Sequence, residues 1–341
     1  MTTARLALTR GQILAFRRTV GGLDERLPQG PVSLGRAAWA GLQDSVPRAA
    51  VLSLHARVHG TGPDTWEDPS LVQLWGPRFS VYVVSARDLA AFSLGRLPDD
   101  AEGRRRAEDL ARRLRAFLDG RRMAYGEAGR GLGVPPNSLR YAAATGSVLI
   151  RWDGARQVTV WTVPPPDVDP REARLELARR YLHVFGPATS AAFAQWAGIR
   201  PRSAGRAAFD ALAVSLTPVR TPAGEGWILS RDEVTFRAPV GSAASARLLP
   251  SGDAYTLLQE ADRELLVPDP DNRRALWTPR VWPGAVLVAG EIVGTWRRSQ
   301  ADVTIESWRP LSVAERAAVE AEAASLPLPS VGHGVRVRWD H

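Results

Sequence analysis

The sequence predicts an α+β protein made of three tandem winged helix-turn-helix modules, followed by a β-rich C-terminal domain. Three observations lead to this prediction: helices followed by a hairpin occur three times, the composition becomes β-rich near the C-terminus, and the formal net charge is +8. A chain of 341 residues also favours several domains over one core. We assign the modules to residues 1–98, 99–166 and 167–238, and the tail domain to residues 239–341.

The first module is predicted from three helical segments and a hairpin. Apolar residues recur at helical spacing in residues 2–20, a second helical segment covers 33–43, and a third covers 47–58. Residues 71–84 form two β-rich runs broken by Gly76-Pro77, which is typical of a hairpin. The order of helices and then a two-stranded wing is that of a winged helix-turn-helix.

The same order returns twice. In the second module an amphipathic helix over residues 101–120 is followed by two short helices and a hairpin over 147–163, whose Asp153-Gly154 is a strong turn signal. A proline-rich linker then leads to the third module. Its predicted segments are three helices and a hairpin, at residues 171–186, 188–199, 201–213 and 214–230.

The composition excludes several kinds of chemistry. The chain has no cysteine, which removes disulfides, thiolate nucleophiles and cysteine zinc sites. The histidines show only one weak pair, His55 and His59, so we expect no metal and no cofactor. The chain also has no lysine, which excludes a Walker-type phosphate loop and a Schiff base from a side-chain amine.

The charge points to an anionic partner. All 44 Lys+Arg residues are arginine, whose planar guanidinium binds phosphate through two nitrogens. The codon usage of a GC-rich genome would also favour arginine over lysine, but it would not explain the positive net charge. No apolar run approaches the roughly 20 residues that cross a bilayer, and the N-terminus lacks a secretory pattern. We therefore expect a cytoplasmic protein of the bacterial nucleoid.

Several segments in this order resemble the winged-helix DNA glycosylases of the AlkZ and YcaQ type, bacterial proteins linked to the repair of alkylated and crosslinked DNA. The resemblance covers most of the chain and implies a C-shaped arrangement of the three modules, with a basic concave face around duplex DNA. The segments that carry it are GLQDSVPRAAVLSLHAR, WGPRFSVYVV, ARRYLHVFGPATSAAFAQWAGI, RLLPSGDAY with a downstream Asp262-Arg263, and VLVAGEIVGTWR.

The resemblance also implies a catalytic site in the first module. The family pattern is Gln, any residue, then Gln or Asp, and here it falls on Gln43, Asp44 and Ser45. Serine is a poor general base, and Asp44 comes one residue early, so it would point elsewhere in a regular backbone. Three alternatives remain open: an irregular chain re-aims Asp44, Gln43 and Ser45 position a water, or catalysis has been lost. Asp44 or Ser45 could also simply cap the next helix.

Further residues are candidates for DNA contacts. Arg48 and Arg57 flank the catalytic frame, and Arg78 lies in the predicted first wing. A basic loop with an aromatic tip in the tail domain contributes four more candidates: Arg273, Arg274, Trp277 and Arg280. Asp253 either holds the tail domain against the first module or approaches the cleft.

The sequence therefore predicts a monomeric, monofunctional DNA glycosylase that acts on N7-alkylated or bulky purine adducts in double-stranded DNA, in repair or in self-resistance. An N7-alkylated purine is already cationic and leaves without strong acid assistance, so groups that orient a water would suffice. The alternative is a non-catalytic DNA-binding protein, either a regulator or a lesion sensor. A protein-binding role for the wings is less compatible with the net charge.

Overall fold

The computed structural model describes residues 5–154, 157–241, 243–258, 261–328 and 335–340. The chain forms three small units, each with helices and a three-stranded sheet, and a tail domain around a five-stranded sheet. No helix in these ranges is both long and apolar enough to cross a membrane.

The N-terminal segment consists of β1 (Leu6–Ala7) and α1 (Arg10–Val20). Thr9 begins α1 with a capping box, in which its hydroxyl accepts from the backbone of Gln12 and the Gln12 side chain accepts from the backbone of Thr9. The buried face of α1 contains Ile13 among other apolar residues.

The first unit follows and carries the candidate catalytic residues. Its sheet has the order β2, β4, β3, with both pairs antiparallel. The hairpin of β3 and β4 is found where the sequence predicts it. The elements are α2 (Pro31–Ala37), β2 (Leu42–Gln43), α3 (Ala49–His55), β3 (Leu71–Trp75), β4 (Val81–Ser85) and α4 (Leu89–Phe92).

The second unit repeats this arrangement with a sheet in the order β5, β7, β6. The predicted apolar stripe of its long helix is buried at Ala107, Leu110 and Leu114. The predicted hairpin is also present, although residues 155 and 156 at its turn lie outside the described residues. The elements are α5 (Ala101–Leu118), β5 (Met123–Ala124), α6 (Tyr125–Gly131), α7 (Leu139–Ala142), β6 (Val148–Arg151) and β7 (Thr159–Thr162).

The third unit recruits the N-terminal segment. Leu6 of β1 pairs in parallel with Val219 of β8, giving the order β1, β8, β9, and α1 contacts α8 and α11. The prediction that residues 2–20 are the first helix of the first module is therefore wrong, because their strand and helix pack on the third unit. The elements are α8 (Pro170–Phe185), α9 (Ser190–Ala197), α10 (Arg202–Ala211), β8 (Leu216–Thr221), β9 (Gly224–Leu229) and α11 (Glu233–Arg237).

The tail domain is β-rich, as predicted. Its sheet runs β10, β11, β12, β13, β14, with only the last pair parallel, and α14 packs on the apolar cluster of this sheet. The elements are β10 (Ala246–Leu249), α12 (Ala261–Leu266), α13 (Pro270–Leu276), β11 (Gly284–Val288), β12 (Glu291–Ser299), β13 (Asp302–Ser307), α14 (Val313–Ala324) and β14 (Arg336–Asp340).

One apolar cluster joins these parts. Tyr82 of the first unit, Trp196 of the third and Leu249 of the tail domain belong to the same buried cluster. A shared core of this kind fixes the units relative to each other, because close-packed side chains tolerate little displacement. The candidate residues of the first unit are therefore held by contacts from the rest of the chain.

Candidate functional site

Gln43 lies at the end of β2, opposite Tyr82 of β4. Its side chain is half-buried, and its Oε1 atom is buried without a hydrogen-bond partner among the described residues. A turn of the tail domain covers the amide, since a Cβ atom placed on Gly252 would lie 3.4 Å from Gln43 Cδ. A buried acceptor without a donor is uncommon in folded proteins and often marks a functional group.

Asp44 points into the protein and supports the helix that follows. Its Oδ1 accepts the backbone N–H of Ala50 at 3.0 Å, and its Oδ2 accepts Nε2 of Gln73 at 2.8 Å. Burial raises the pKa of Asp44 to about 7, against the lowering effect of these two hydrogen bonds. This geometry argues against the direct catalytic role suggested for Asp44, because both oxygens are buried and already bonded.

Gln73 is a partner of the site that was not predicted from the sequence. Its Oε1 accepts the backbone N–H of Trp152 at 2.6 Å, so one side chain connects Asp44 to the β6–β7 hairpin of the second unit. Gly154 of the same hairpin packs closely against Pro47 of the candidate loop. The signal was a polar residue within the apolar run LVQLW, where a buried amide requires partners.

Ser45 and Arg48 complete the loop. Ser45 is exposed, and Arg48 has a left-handed backbone with φ of 67° directly before α3. The guanidinium of Arg48 lies 4.5 Å from the ring centroid of Trp66, and that of Arg151 lies 3.8 Å from it. Arg48 therefore lies beside the candidate catalytic frame. Its contact with a DNA phosphate remains a prediction. Neither Trp66 nor Arg151 was singled out from the sequence.

The predicted contact of Arg57 with DNA is wrong, because this side chain is buried in an ion pair. Only 2% exposed, it forms a bidentate ion pair with Asp253, with both N–O distances at 2.7 Å. Burial alone would raise the pKa of Asp253, but the charge and hydrogen bonds of Arg57 outweigh it and hold this pKa below its ordinary value. Arg57 is therefore unavailable to phosphate, and Asp253 holds the tail domain against the first unit.

Arg78 lies where the sequence predicts, in the turn Pro77–Phe79 between β3 and β4, and its side chain is exposed. The turn is not free in solution, because Gly198 of the third unit packs against the Arg78 backbone. Burial and the charge of Arg78 lower the pKa of Arg263 in the tail domain. The guanidinium groups of Arg78 and Arg263 are therefore close enough to repel each other.

The predicted basic loop of the tail domain is mostly structural. Trp277 is buried and donates its Nε1–H to the carbonyl of Thr256 at 3.0 Å, so its predicted base contact is wrong. Arg273 is half-buried, and one nitrogen, Nη1, donates to the carbonyls of Val267 and Pro268 at 2.9 and 2.5 Å.

Two residues of that loop stay available. Arg274 and Arg280 are exposed, although Arg274 also pairs with Asp271. Their predicted contacts with DNA stay predictions.

The histidine pair does not form a metal site in the described part of the chain, where no group of three or more potential ligands is found. His55 is buried against Thr61 and Ser325, with ring nitrogen to oxygen distances of 2.9 and 3.0 Å. Burial and the charges of Arg26 and Arg247 lower the pKa of His55 to about 4. His55 is therefore a neutral structural residue at neutral pH.

A curated protein and a solved structure, both from Streptomyces sahachiroi, resemble this chain. A protein named interstrand DNA cross-link repair glycosylase is 28% identical over 163 residues, which are 46% of this chain and 43% of the relative. The aligned part therefore spans less than half of that relative. The solved structure of DNA glycosylase AlkZ is 18% identical and has a TM-score of 0.75, covering 98% of this chain and 100% of the other. The two folds are the same.

The family comparison extends over the same modules. The model described as DNA glycosylase AlkZ-like matches residues 37–327, which include the candidate loop, all three hairpins and most of the tail domain. The chain belongs to the AlkZ-like DNA glycosylase family.

Proposed function

We propose that the protein is a monofunctional DNA glycosylase that hydrolyses the N-glycosidic bond of N7-alkylated purines in double-stranded DNA. The observation that carries the proposal is the buried, unpartnered Oε1 of Gln43, two residues before the exposed Ser45. In this proposal the three units are winged helices around the duplex. The protein acts as a monomer at the nucleoid.

The chemistry fits the residues present. In an N7-alkylated purine the electrons of the C1′–N9 bond neutralise the cationic base as it leaves, and the sugar becomes an oxocarbenium ion. A water held by Gln43 and Ser45 then attacks C1′ and loses a proton to solvent. The products are the free base and an abasic site. Without lysine, no side-chain amine is available for a subsequent strand cleavage.

Asp44 acts as a positioning residue in this scheme. It holds the start of α3 and, through Gln73, the wing of the second unit. Its buried carboxylate also adds negative potential beneath the loop when ionised, which favours a cationic sugar. The relative that is named for interstrand cross-link repair supports a DNA lesion as the substrate, and a cross-link between two purines is a second substrate to test.

The test is base release from duplex DNA that contains one N7-methylguanine. The wild-type protein should give alkali-dependent strand breaks, and Gln43→Ala should lower the single-turnover rate roughly 100-fold. Gln157→Ala, at an exposed glutamine of the second unit, is the matched control and should keep the rate. A duplex with an N7-linked interstrand cross-link is tested in parallel.

The serine of the frame allows a second variant. Ser45→Asp restores a carboxylate at the position where the family pattern has Gln or Asp, and it should raise the rate if Ser45 only orients water. Tight binding without base release from either lesion would identify a lesion sensor or regulator instead. Gel filtration of the complex tests the monomer.

A further inference from the structure

A basic cleft opens where the three units meet. Its walls are the turn Pro77–Phe79, the beginning of α5 and the segment Gly198–Arg200 after α9, and its volume is about 570 Å³. Gln43 pairs with Tyr82 in an antiparallel ladder, so the chain after Gln43 runs toward that turn. The turn in the wall of the cleft therefore leads into the strand that pairs with Gln43.

The cleft carries excess positive charge. Four arginines line it, namely Arg78, Arg96, Arg106 and Arg200, and none of them forms an ion pair with a carboxylate of the described residues. Asp100 is the single carboxylate in the lining, and it is engaged in capping the first turn of α5. Converging unpaired arginines favour an anion with several oxygens.

Arg96 is the buried member of this set, with 7% of its surface exposed. Its Nε and Nη1 donate to the carbonyls of Ala197 and Trp75, each at 3.0 Å. Burial lowers its pKa to about 10, so the group is still charged at neutral pH. A buried charge without a counter-ion is costly, and an anion in the cleft would offset that cost.

Two aromatic rings hold the guanidiniums in place. Phe79 and Tyr141 meet edge to face with centroids 5.1 Å apart. Arg96 lies 5.2 Å from the Phe79 ring, and Arg106 lies 5.4 Å from the Tyr141 ring. Arg78 and Phe79 also adopt left-handed backbones, with φ of 55° and 59°. Guanidiniums held over aromatic rings and a strained turn indicate a site arranged before its ligand binds.

We propose that this cleft binds a backbone phosphodiester of duplex DNA next to the nucleotide that faces Gln43. Arg106 and Arg200 are exposed and contact the phosphate from the mouth of the cleft, while Arg96 supplies positive potential from below. The proposal rests on the proposed function for the position of the DNA. The phosphate contact in the cleft would set the register of the DNA strand, since phosphate contacts fix the position of a protein on the duplex.

The test measures binding of a short undamaged duplex by fluorescence anisotropy over a range of salt concentrations. Arg106→Ala and Arg200→Ala should each weaken binding roughly tenfold at about 0.1 M salt, and each should lower the slope of log K against log salt by about 0.9. Arg112→Ala is the matched control, because Arg112 is on the same helix as Arg106, lies 74% exposed and pairs with Asp109. Arg96 is not substituted, because it also donates hydrogen bonds to two backbone carbonyls and its loss would disturb the fold.

The outcomes are separable. The proposal is overturned if Arg106→Ala and Arg200→Ala bind the duplex as tightly as Arg112→Ala does. It is also overturned if these variants lose affinity only for single-stranded DNA of the same sequence. Circular dichroism checks that the variants fold. Base release from N7-methylguanine is measured separately, so a wild-type protein that binds but releases no base overturns the proposed function and leaves the cleft result standing.

Discussion

Asp44 and Gln73 are hydrogen-bonded at 2.8 Å, from Nε2 of the amide to Oδ2 of the carboxylate. Gln73 also holds the backbone of Trp152, so the pair joins the candidate loop of the first unit to the β6–β7 hairpin of the second. Both side chains are buried. The protonation state of Asp44 therefore affects a contact between two units as well as the loop that carries Gln43.

The first prediction concerns pH. The pKa of Asp44 is about 7 in the fold against 3.8 in the reference state, so the folded protein binds this proton more tightly. The corresponding stability is fully present below about pH 4 and is lost as the pH rises through 7. Relative to Asp44→Asn, the wild type should lose about 2–3 kcal/mol of unfolding free energy between pH 5 and 7.

Urea denaturation at several pH values measures this difference. The amide of the variant adds a constant offset, because it places a donor opposite Gln73, so only the pH dependence is interpreted. Asp109→Asn removes a carboxylate from the exposed face of α5 and serves as the control. A difference between wild type and Asp44→Asn that does not change with pH would contradict the raised pKa.

The local parts of the fold could be predicted from the sequence. The long helix of the second unit and the three hairpins follow from apolar periodicity and from turn signals such as Asp153-Gly154, which depend on neighbouring residues. The position of β1 could not be predicted in this way. Its partner Val219 lies in another unit, and a two-residue strand has no periodicity of its own.

The same limit applies to the site. The candidate frame at Gln43 could be located from the sequence because its motif is continuous in the chain. The role of Arg57 could not be predicted, because its partner Asp253 lies 196 residues away in the chain. An arginine on a helix also gives the same sequence pattern whether it faces solvent or a buried carboxylate. Gln73 gave a signal, a polar residue in an apolar strand, but its partners required the structure.

The second prediction concerns the Arg57–Asp253 pair. Asp253→Ala leaves a buried guanidinium without its counter-ion and should lower the free energy of unfolding by about 3–5 kcal/mol. Asp109→Ala, which removes the partner of exposed Arg112, should cost less than about 1 kcal/mol. Replacing both partners, Arg57→Met with Asp253→Leu, should recover much of the loss. Equal unfolding midpoints for the two aspartate variants in urea would exclude a structural role for the pair.

The third prediction tests whether the tail domain positions Gln43. Gly252 has φ of +74°, and a Cβ there would lie at contact distance, 3.4 Å, from Gln43 Cδ. A shift of the strained turn in Gly252→Ala would therefore be transmitted to the amide and should slow base release tenfold or more. Gly133→Ala is the matched control: Gly133 has φ of +68°, but its Cβ would meet no atom within 4 Å. Both variants should lose about 1–2 kcal/mol of stability from the left-handed backbone, so unfolding alone does not distinguish them. Single-turnover rates do, and similar rates for both variants would mean that the turn at Gly252 does not control the amide of Gln43.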